Sequence, residues 1–191
     1  MTLDGERVLV TGGTGSLGQA LVRRLLQGDM GTPSRVMVFS RDEAKQHEMR
    51  LAWHAMSTAT DEVIYRKAKD QLQFIIGDIR DYPTVAAALM EADVVFHAAA
   101  LKQVPTCEYF PYEAVLTNIL GAQNIVRAVR EQRPRTRLVV GISTDKACKP
   151  INVMGMTKAL QERVLIEGNL NNDRTRFVCV RYGNVIASRG S

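Results

Sequence analysis

Three residues that can exchange protons follow the apolar run RLVVGIS, which predicts a buried strand. They are Thr144, Asp145 and Lys146. A carboxylate and an amine side by side in a cleft can serve as a general acid and a general base. The same cluster also fits a capped helix start with an exposed lysine, and spacing alone favours that second interpretation. A further lysine, Lys158, stands four residues after Met154, so both face the same way on a predicted helix.

A second chemical feature is the glycine pattern in RVLVTGGTGSLG near the start of the chain. Gly12 permits a tight turn from strand to helix, Gly15 lets a pyrophosphate approach the backbone, and Gly18 lets the helix pack closely on the strand. The free N–H groups that open the helix near Ser16 would face the phosphates. An ordinary glycine turn is the alternative. The apolar strand before the pattern and the amphipathic helix after it favour a dinucleotide site.

The end of the predicted second strand bears on which dinucleotide is bound. NAD-selective folds place an Asp or Glu near the ribose 2′-hydroxyl, whereas a 2′-phosphate prefers hydroxyl and guanidinium donors. Ser40, Arg41 and Lys45 can all donate to a phosphate, so the sequence favours NADP over NAD. In the alternative interpretation Asp42 caps a helix and Arg41 is an ordinary surface side chain.

Other strand ends supply small or polar residues. Asp78 follows the predicted third strand and is well placed to accept from the adenine amine. Ala98, Ala99 and Ala100 are small enough for a cofactor to lie against the fourth strand. Asn118, in the middle of a predicted helix, is either plain helix surface or a polar bridge to the strand tips, and the sequence favours neither.

Six short apolar runs alternate with helical patterns along the chain. They predict an α/β Rossmann fold, a doubly wound parallel sheet with helices on both faces and strand order 3-2-1-4-5-6. We expect one NAD(P)-binding domain over residues 1–191, with its ligand outside the carboxyl ends of the strands. The predicted strands are Val8–Val10, Arg35–Ser40, Leu72–Ile76, Asp93–Ala100, Arg137–Ser143 and Arg176–Gly183, and the longest predicted helix is Pro111–Gln132.

The composition is that of an ordinary globular protein of 191 residues, 46% hydrophobic and 24% charged. The formal charge of +5 suits a phosphate-rich small substrate, and because the basic residues are dispersed, nucleic-acid binding is only a minor alternative. No apolar run is long enough to span a bilayer, and MTLDGER lacks the apolar segment of a signal peptide. The three cysteines indicate free thiols in a cytoplasmic protein. No spacing suits a metal.

The motifs TGGTGSLG, SRDEAK, GDIRD, HAAALKQVP, STDKACKPIN, MGMTK and RYGNV together resemble the extended short-chain dehydrogenase/reductase superfamily. Within it the chain resembles UDP-N-acetylglucosamine 4,6-dehydratases, including the C5-inverting type, which serve polysaccharide and glycan biosynthesis. The STDKA and AALK-VP segments point to this group, whereas the glycine pattern marks only the superfamily.

The resemblance implies a lyase that uses bound NADP on a UDP-sugar, by C4 oxidation, C5 deprotonation, C6 dehydration and return of the hydride. Asp145 and Lys146 would be the catalytic acid and base beside Thr144, Lys158 would hold the cofactor ribose, and Asn184 would contact the substrate. Full-length members are expected to be homo-oligomers. By the same similarity NADP would contact Thr14, Gly15, Ser16, Leu17, Ser40, Arg41, Lys45, Asp78, Ile79, Ala98 and Lys102, and Lys102 would also reach the substrate.

Two departures from the superfamily pattern stand out. Its usual tyrosine is Met154 here, and methionine cannot take a proton from a sugar hydroxyl. Some similar polysaccharide dehydratases also carry Met at this position, so the implied activity stands. The family also continues well beyond RYGNV, and we expect this chain to be a fragment without most of the substrate-binding portion. The alternatives are a nucleotide-sugar 4-epimerase or ketoreductase, and an NADP(H)-binding module without turnover.

Overall fold

Six parallel strands form one sheet in the order β3-β2-β1-β4-β5-β6, in a computed structural model that describes residues 2–55 and 71–183. This confirms the predicted Rossmann topology, in which the strand order reverses between β1 and β4. The strands are β1 (Arg7–Thr11), β2 (Arg35–Ser40), β3 (Leu72–Ile76), β4 (Val94–His97), β5 (Leu138–Thr144) and β6 (Arg176–Tyr182).

Helices connect the strands and cover both faces of the sheet. Among the described residues, no helix combines the length and the apolar character that crossing a membrane requires. The α-helices are α1 (Ser16–Gln27), α2 (Glu43–Ala55), α3 (Tyr82–Met90), α4 (Val104–Tyr109), α5 (Pro111–Ala114), α6 (Gly121–Gln132) and α7 (Val153–Glu167). A π-helical segment (Val115–Leu120) joins α5 to α6, and a 3₁₀ turn (Asp145–Ala147) follows β5.

The two faces of the sheet bury separate apolar cores, because successive side chains on a strand point in opposite directions. Val8 and Val10 of β1 pack with α1 and α2 on one face. Leu9, between them, faces the other core, where α3, α6 and Leu165 of α7 cover the sheet. Burial on both faces explains why the strands are near-continuous apolar runs.

Two predicted elements differ from the structure by more than one residue at an end or in their internal conformation. The helix predicted over Pro111–Gln132 is continuous but contains the π-helical segment, which buries Thr117 and Asn118. The fourth strand ends at His97 rather than at Ala100, so the alanines form a tip beyond the ladder. The six-residue helix α4 was not predicted, since so short a helix shows little periodicity.

Candidate active site

A cleft with a volume of about 690 Å³ lies at the carboxyl ends of the strands, around the point where the strand order reverses. Every residue that the sequence predicts to hold the cofactor lines it, as do Thr144, Lys146 and Met154. Asp145 does not line it, and Asn184 lies outside the described residues. The lining also includes residues that sequence reasoning missed, among them Gln103, Thr117, Ile142 and Tyr182.

The glycine turn brings the start of α1 against the tip of β4. Gly12 has a φ of +68°, and a Cβ built there would lie 2.7 Å from the backbone nitrogen of Ala99. A Cβ on Gly18 would lie 2.5 Å from the Gly12 carbonyl oxygen. Gly15 occupies the N-cap of α1, and no side chain caps this helix start. The first N–H groups of α1 therefore open into the cleft, as binding of a phosphate at a helix start requires.

The tip of β2 carries a hydroxyl and two basic side chains, as predicted. The Ser40 hydroxyl lies 2.9 Å from that of Thr14. Asp42 caps α2 by accepting from the Lys45 backbone N–H at 3.0 Å, and its carboxylate also pairs with the Lys45 ammonium, which lowers the pKa of Asp42. The helix-cap interpretation of Asp42 is thus confirmed, and Lys45 has an intramolecular partner.

Asp78 is engaged by a neighbouring arginine. The Arg80 guanidinium donates to both carboxylate oxygens at 2.6–3.0 Å, and the Arg80 backbone N–H donates as well, at 2.9 Å. Arg41 approaches the same carboxylate at 3.6 Å. Burial would raise the pKa of Asp78, but the contacts with Arg80 outweigh it and the net shift is downward. An adenine amine bound here would share the Asp78 carboxylate, which is already ionised and paired with Arg80.

The residues that the sequence suggests for proton transfer follow β5 at the outer lip of the cleft, where Thr144 and Lys146 line it and Asp145, between them, does not. The Thr144 hydroxyl donates to Asp145 at 2.9 Å, and the Lys146 ammonium lies 3.4 Å from the same carboxylate oxygen. The Asp145 and Lys146 side chains are 56% and 38% exposed. The Thr144 hydroxyl and Lys146 lower the pKa of Asp145, so the carboxylate is ionised at neutral pH.

Lys158 is the buried lysine of the site, only 6% exposed at the wall of the cleft. Its ammonium donates to the Ile142 carbonyl of β5 at 2.6 Å and to Gln161 Oε1 at 2.7 Å. Burial lowers the pKa of Lys158 to about 8, because removal from water disfavours the charged form. Gln161 and Ile142 gave no sequence signal, since their roles depend on where Lys158 points.

Met154 is packed into an apolar cluster with Cys107 and Ala114 and is only 5% exposed. The position of the superfamily's tyrosine therefore carries an apolar side chain here, which packs in this cluster and also borders the cleft. Tyr182, which pairs in register with Thr144 on the neighbouring strand, also lines the cleft. Burial raises the pKa of Tyr182.

Asn118 is a polar bridge, which decides between the two interpretations left open by the sequence. Its side chain accepts from the Leu101 N–H at 2.8 Å and donates to the Leu101 carbonyl at 3.0 Å and to the Thr157 hydroxyl at 3.0 Å. It thereby ties the chain beyond β4 to the π-helical segment and to α7. Because Leu101 and Lys102 line the cleft, this bridge shapes the wall of the site.

Two buried polar atoms among the described residues have no hydrogen-bond partner, His97 Nε2 and Thr117 Oγ1. Thr117 lines the cleft, so a polar ligand there can satisfy its hydroxyl. The other ring nitrogen of His97 lies 2.8 Å from the Thr11 hydroxyl. Burial, and next the nearby Lys158, lower the pKa of His97 to about 3, so the ring stays neutral. Within the described ranges, no group of His, Cys, Asp or Glu side chains could hold a metal.

Comparison with known proteins identifies the family. A family model described as polysaccharide biosynthesis protein matches residues 8–191. The chain belongs to this family. That result confirms membership of the extended short-chain dehydrogenase/reductases and agrees with the cleft at the strand ends. The narrower resemblance to UDP-N-acetylglucosamine 4,6-dehydratases goes beyond what family membership shows.

The curated relatives of this chain are named as 4-epimerases rather than as 4,6-dehydratases. A UDP-glucose 4-epimerase of Rickettsia bellii is 46% identical over 189 residues, covering 97% of this chain and 51% of the relative. A UDP-glucose 4-epimerase of Rickettsia felis is 43% identical over the same length, with the same coverage. The chain thus spans about half the length of the curated relatives it matches.

Solved structures show the same fold. Pen from Bacillus thuringiensis is 38% identical with a TM-score of 0.86, and the match covers 100% of this chain and 54% of Pen. A UDP-glucose-4-epimerase from Stenotrophomonas maltophila, solved with bound NAD and formylated UDP-arabinopyranose, is 25% identical with a TM-score of 0.72, covering 93% of this chain and 52% of the epimerase.

Proposed function

We propose that this chain is the cofactor-binding part of a nucleotide-sugar 4,6-dehydratase that acts on UDP-N-acetylglucosamine in polysaccharide biosynthesis. The observation that carries the proposal is the Thr144-Asp145-Lys146 cluster at the lip of the glycine-turn cleft. Dehydration between C5 and C6 of a sugar needs both a base for the C5 proton and an acid for the departing hydroxyl. An amine and a carboxylate at the mouth of one cleft can supply both.

The cleft fits a nicotinamide dinucleotide. The Gly12 turn leaves no room for a Cβ, the start of α1 offers open N–H groups, and the buried Thr117 hydroxyl lacks a partner. In this proposal the start of α1 holds the pyrophosphate and Lys158 holds the nicotinamide ribose. When bound, the dinucleotide supplies the oxidation of the sugar at C4 and the later reduction.

NADP is the dinucleotide we propose, with NAD as the alternative. Ser40 and Arg41 are at the tip of β2, where a 2′-phosphate would lie, and the Arg41 side chain is 58% exposed. A guanidinium can bind a phosphate with two parallel hydrogen bonds. Asp42 stands beside them, and its negative charge would favour a ribose hydroxyl instead. The pairing of Asp42 with Lys45 offsets that charge, and Arg41, whose guanidinium lies 3.6 Å from Asp78, would select the phosphate.

Lys146 is the proposed base and Asp145 the proposed acid. Lys146 in its neutral form takes the C5 proton of the oxidised sugar, and a proton from Asp145 leaves with the C6 hydroxyl as water. Asp145 is exposed and ionised in the chain described, so its acid role requires a covering that desolvates the carboxylate and raises its pKa. We propose that the part of the family's length not represented here provides this covering together with the sugar site, while residues 1–191 form the cofactor domain.

A nucleotide-sugar 4-epimerase is the second candidate, because the curated relatives are named UDP-glucose 4-epimerase. An epimerase needs proton exchange only at the C4 hydroxyl, which in the superfamily pattern belongs to the tyrosine. Here that position is the buried Met154, whereas the carboxylate and amine remain. Dehydration is therefore the better candidate, because it uses both the carboxylate and the amine that the site provides.

The test is proton NMR of UDP-N-acetylglucosamine incubated in D₂O with the product of the complete reading frame and, in parallel, with this chain. A dehydratase gives a 4-keto-6-deoxy sugar that carries deuterium at C5. A product inverted at C4 that retains its C6 hydroxyl would establish the epimerase instead. Tight NADPH binding with no product from any UDP-sugar would overturn both and identify a binding module.

A further inference from the structure

Lys158 is held by two acceptors from different elements. Of its three N–H bonds, one points to the Ile142 carbonyl at 2.6 Å and one to Gln161 Oε1 at 2.7 Å. Ile142 belongs to β5, and Gln161 lies one turn further along α7, three residues after Lys158. The lysine lines the cleft, so its remaining N–H is the one left for a ligand.

Gln161 is unusual for its surroundings. It is 1% exposed and is among the largest fully buried side chains of the chain. Glutamine is mostly a surface residue, and burial of its amide is costly unless its polar atoms are bonded. The hydrogen bond from Lys158 satisfies the amide oxygen of this buried side chain.

The groups around Lys158 make the neutral character of Gln161 significant. His97 of β4 lies near Lys158 and is uncharged. Cys179 of β6, also near Lys158, is a thiol whose pKa burial raises to about 11. Glu162, the next residue on α7, is the nearby carboxylate, and Arg181 and the Ser143 hydroxyl already bind it. Lys158 is therefore held mainly by dipoles, which orient an ammonium without neutralising it.

We propose that Gln161 is a positioning residue that, with the Ile142 carbonyl, holds the Lys158 ammonium at the cleft wall so that its third N–H meets a ligand hydroxyl. The proposal rests on the proposed function only for the identity of that ligand, the ribose of a nicotinamide dinucleotide. A carboxylate at position 161 would form an ion pair and raise the pKa of Lys158, and an apolar side chain would leave the ammonium with one acceptor and lower it.

The first experiment needs no cofactor and follows the ionisation of Lys158 directly. The chain is labelled with carbon-13 at lysine Cε, and proton–carbon correlation spectra are recorded from about pH 6 to about pH 10. Lys158→Met identifies the Lys158 signal by its disappearance. Gln161→Met, of similar volume, should move the titration midpoint down, and Gln161→Glu should move it up, each by about one pH unit. Leu160→Met, an exposed neighbour on α7, is the control and should leave the midpoint unchanged.

The second experiment measures NADPH binding by the fluorescence of the bound reduced cofactor. Gln161→Met should raise the dissociation constant of NADPH about tenfold, because loss of a hydrogen bond to a charged group changes an equilibrium constant by about tenfold or more. In a Lys158→Met background the same change should have no further effect, as expected if Gln161 acts through Lys158.

The outcomes separate the two proposals. If wild type binds neither NADPH nor NADH, the proposed function fails while the titration still tests the role of Gln161. Midpoints of Gln161→Met and Gln161→Glu that match wild type would show that Gln161 is only a packing residue. Should the buried carboxylate of Gln161→Glu prevent folding, Gln161→Met alone decides, since it keeps the volume of the side chain.

Discussion

The Asn118 side chain pairs with the Leu101 backbone through two hydrogen bonds. It accepts from the Leu101 N–H at 2.8 Å and donates to the Leu101 carbonyl at 3.0 Å. These two bonds join the π-helical segment to the chain that leaves β4, at Leu101 in the wall of the cleft. A side chain that satisfies two backbone groups at once holds an irregular segment in one conformation.

Replacing Asn118 should therefore affect both stability and binding. Asn118→Leu leaves the Leu101 N–H unpaired and its carbonyl with only the weak Cys107 thiol donor at 3.7 Å, and should lower the free energy of unfolding by about 2–4 kcal/mol, measured by urea denaturation. NADPH affinity should fall about tenfold because Leu101 and Lys102 line the cleft. Asn169→Leu is the control, since the Asn169 side chain makes the same pair of hydrogen bonds with the Phe177 backbone, at 2.9 and 3.0 Å, and neither residue lines the cleft. Equal losses of affinity in both variants would contradict the assigned role.

The glycine turn predicts a contrast between two substitutions. Gly12→Ala places a Cβ 2.7 Å from the Ala99 nitrogen at a φ of +68°, whereas on Gly15 the nearest atom to a Cβ is the Gly12 carbonyl oxygen at 3.3 Å. Gly12→Ala should cost about 2–4 kcal/mol of stability. Gly15→Ala should keep most of the stability but weaken NADPH binding, because its methyl group stands where the pyrophosphate would approach. Thermal unfolding and fluorescence titration check the two parts, and a fully stable Gly12→Ala would show that the turn can relax.

Arg41 is predicted to select the cofactor. Arg41→Ala should weaken NADPH binding by about tenfold to a hundredfold and change NADH binding little, because only NADPH carries the 2′-phosphate that a guanidinium binds. Arg127→Ala, in which an exposed ion pair with Glu131 on α6 is lost, is the charge-matched control. Equal losses for NADPH and NADH would assign Arg41 a general electrostatic role and leave NAD as the better choice.

The roles proposed for Lys146 and Met154 are tested in the longer protein of which residues 1–191 are proposed to be the cofactor domain. Lys146→Met should abolish deuterium incorporation at C5 of the sugar, since loss of one positioned acid or base commonly costs about 10²–10⁴ in rate. Met154→Leu conserves the apolar packing with Cys107 and Ala114 and should leave incorporation largely intact. A silent Lys146→Met together with an inactive Met154→Leu would refute the assignment of Lys146 as the base.

Lys158 makes a specific contribution to the pH dependence of stability. Its pKa is lowered to about 8 in the folded chain from 10.5. Between those values the unfolded chain binds more protons at this residue, so its contribution to the free energy of unfolding rises with pH, by at most about 1.4 kcal/mol per pH unit. The measurement is urea unfolding of wild type and Lys158→Met from about pH 7 to about pH 10. The difference between them removes the opposite contribution of Cys179, whose pKa is raised to about 11, and a difference that stays constant with pH would contradict the lowered pKa of Lys158.

The sequence alone determined the order of the strands, the position of the glycine turn and the cofactor-side residues of the cleft. Its signals are local and strong. Doubly buried strands must be apolar along their whole length, and a turn that brings Gly12 against Ala99 excludes every larger side chain. Parallel strands also end at one edge, so motifs that follow strands converge whatever the details of packing.

Tertiary structure alone decided how the polar side chains are paired. Asn118 bridges to Leu101, Arg80 engages Asp78, and Gln161 holds Lys158. The Asn118 bridge does not follow from spacing, because it depends on the direction of a side chain relative to another element. Arg80 and Asp78, and Gln161 and Lys158, are close in sequence, but only the packed structure shows that these neighbours pair rather than face solvent. The same holds for charge: next to a buried strand in the sequence, Asp145 lies exposed and Lys146 only half-buried, while the more distant Lys158 is buried and has its pKa lowered. Desolvation is set by what covers a group, and that is known only once the elements are packed.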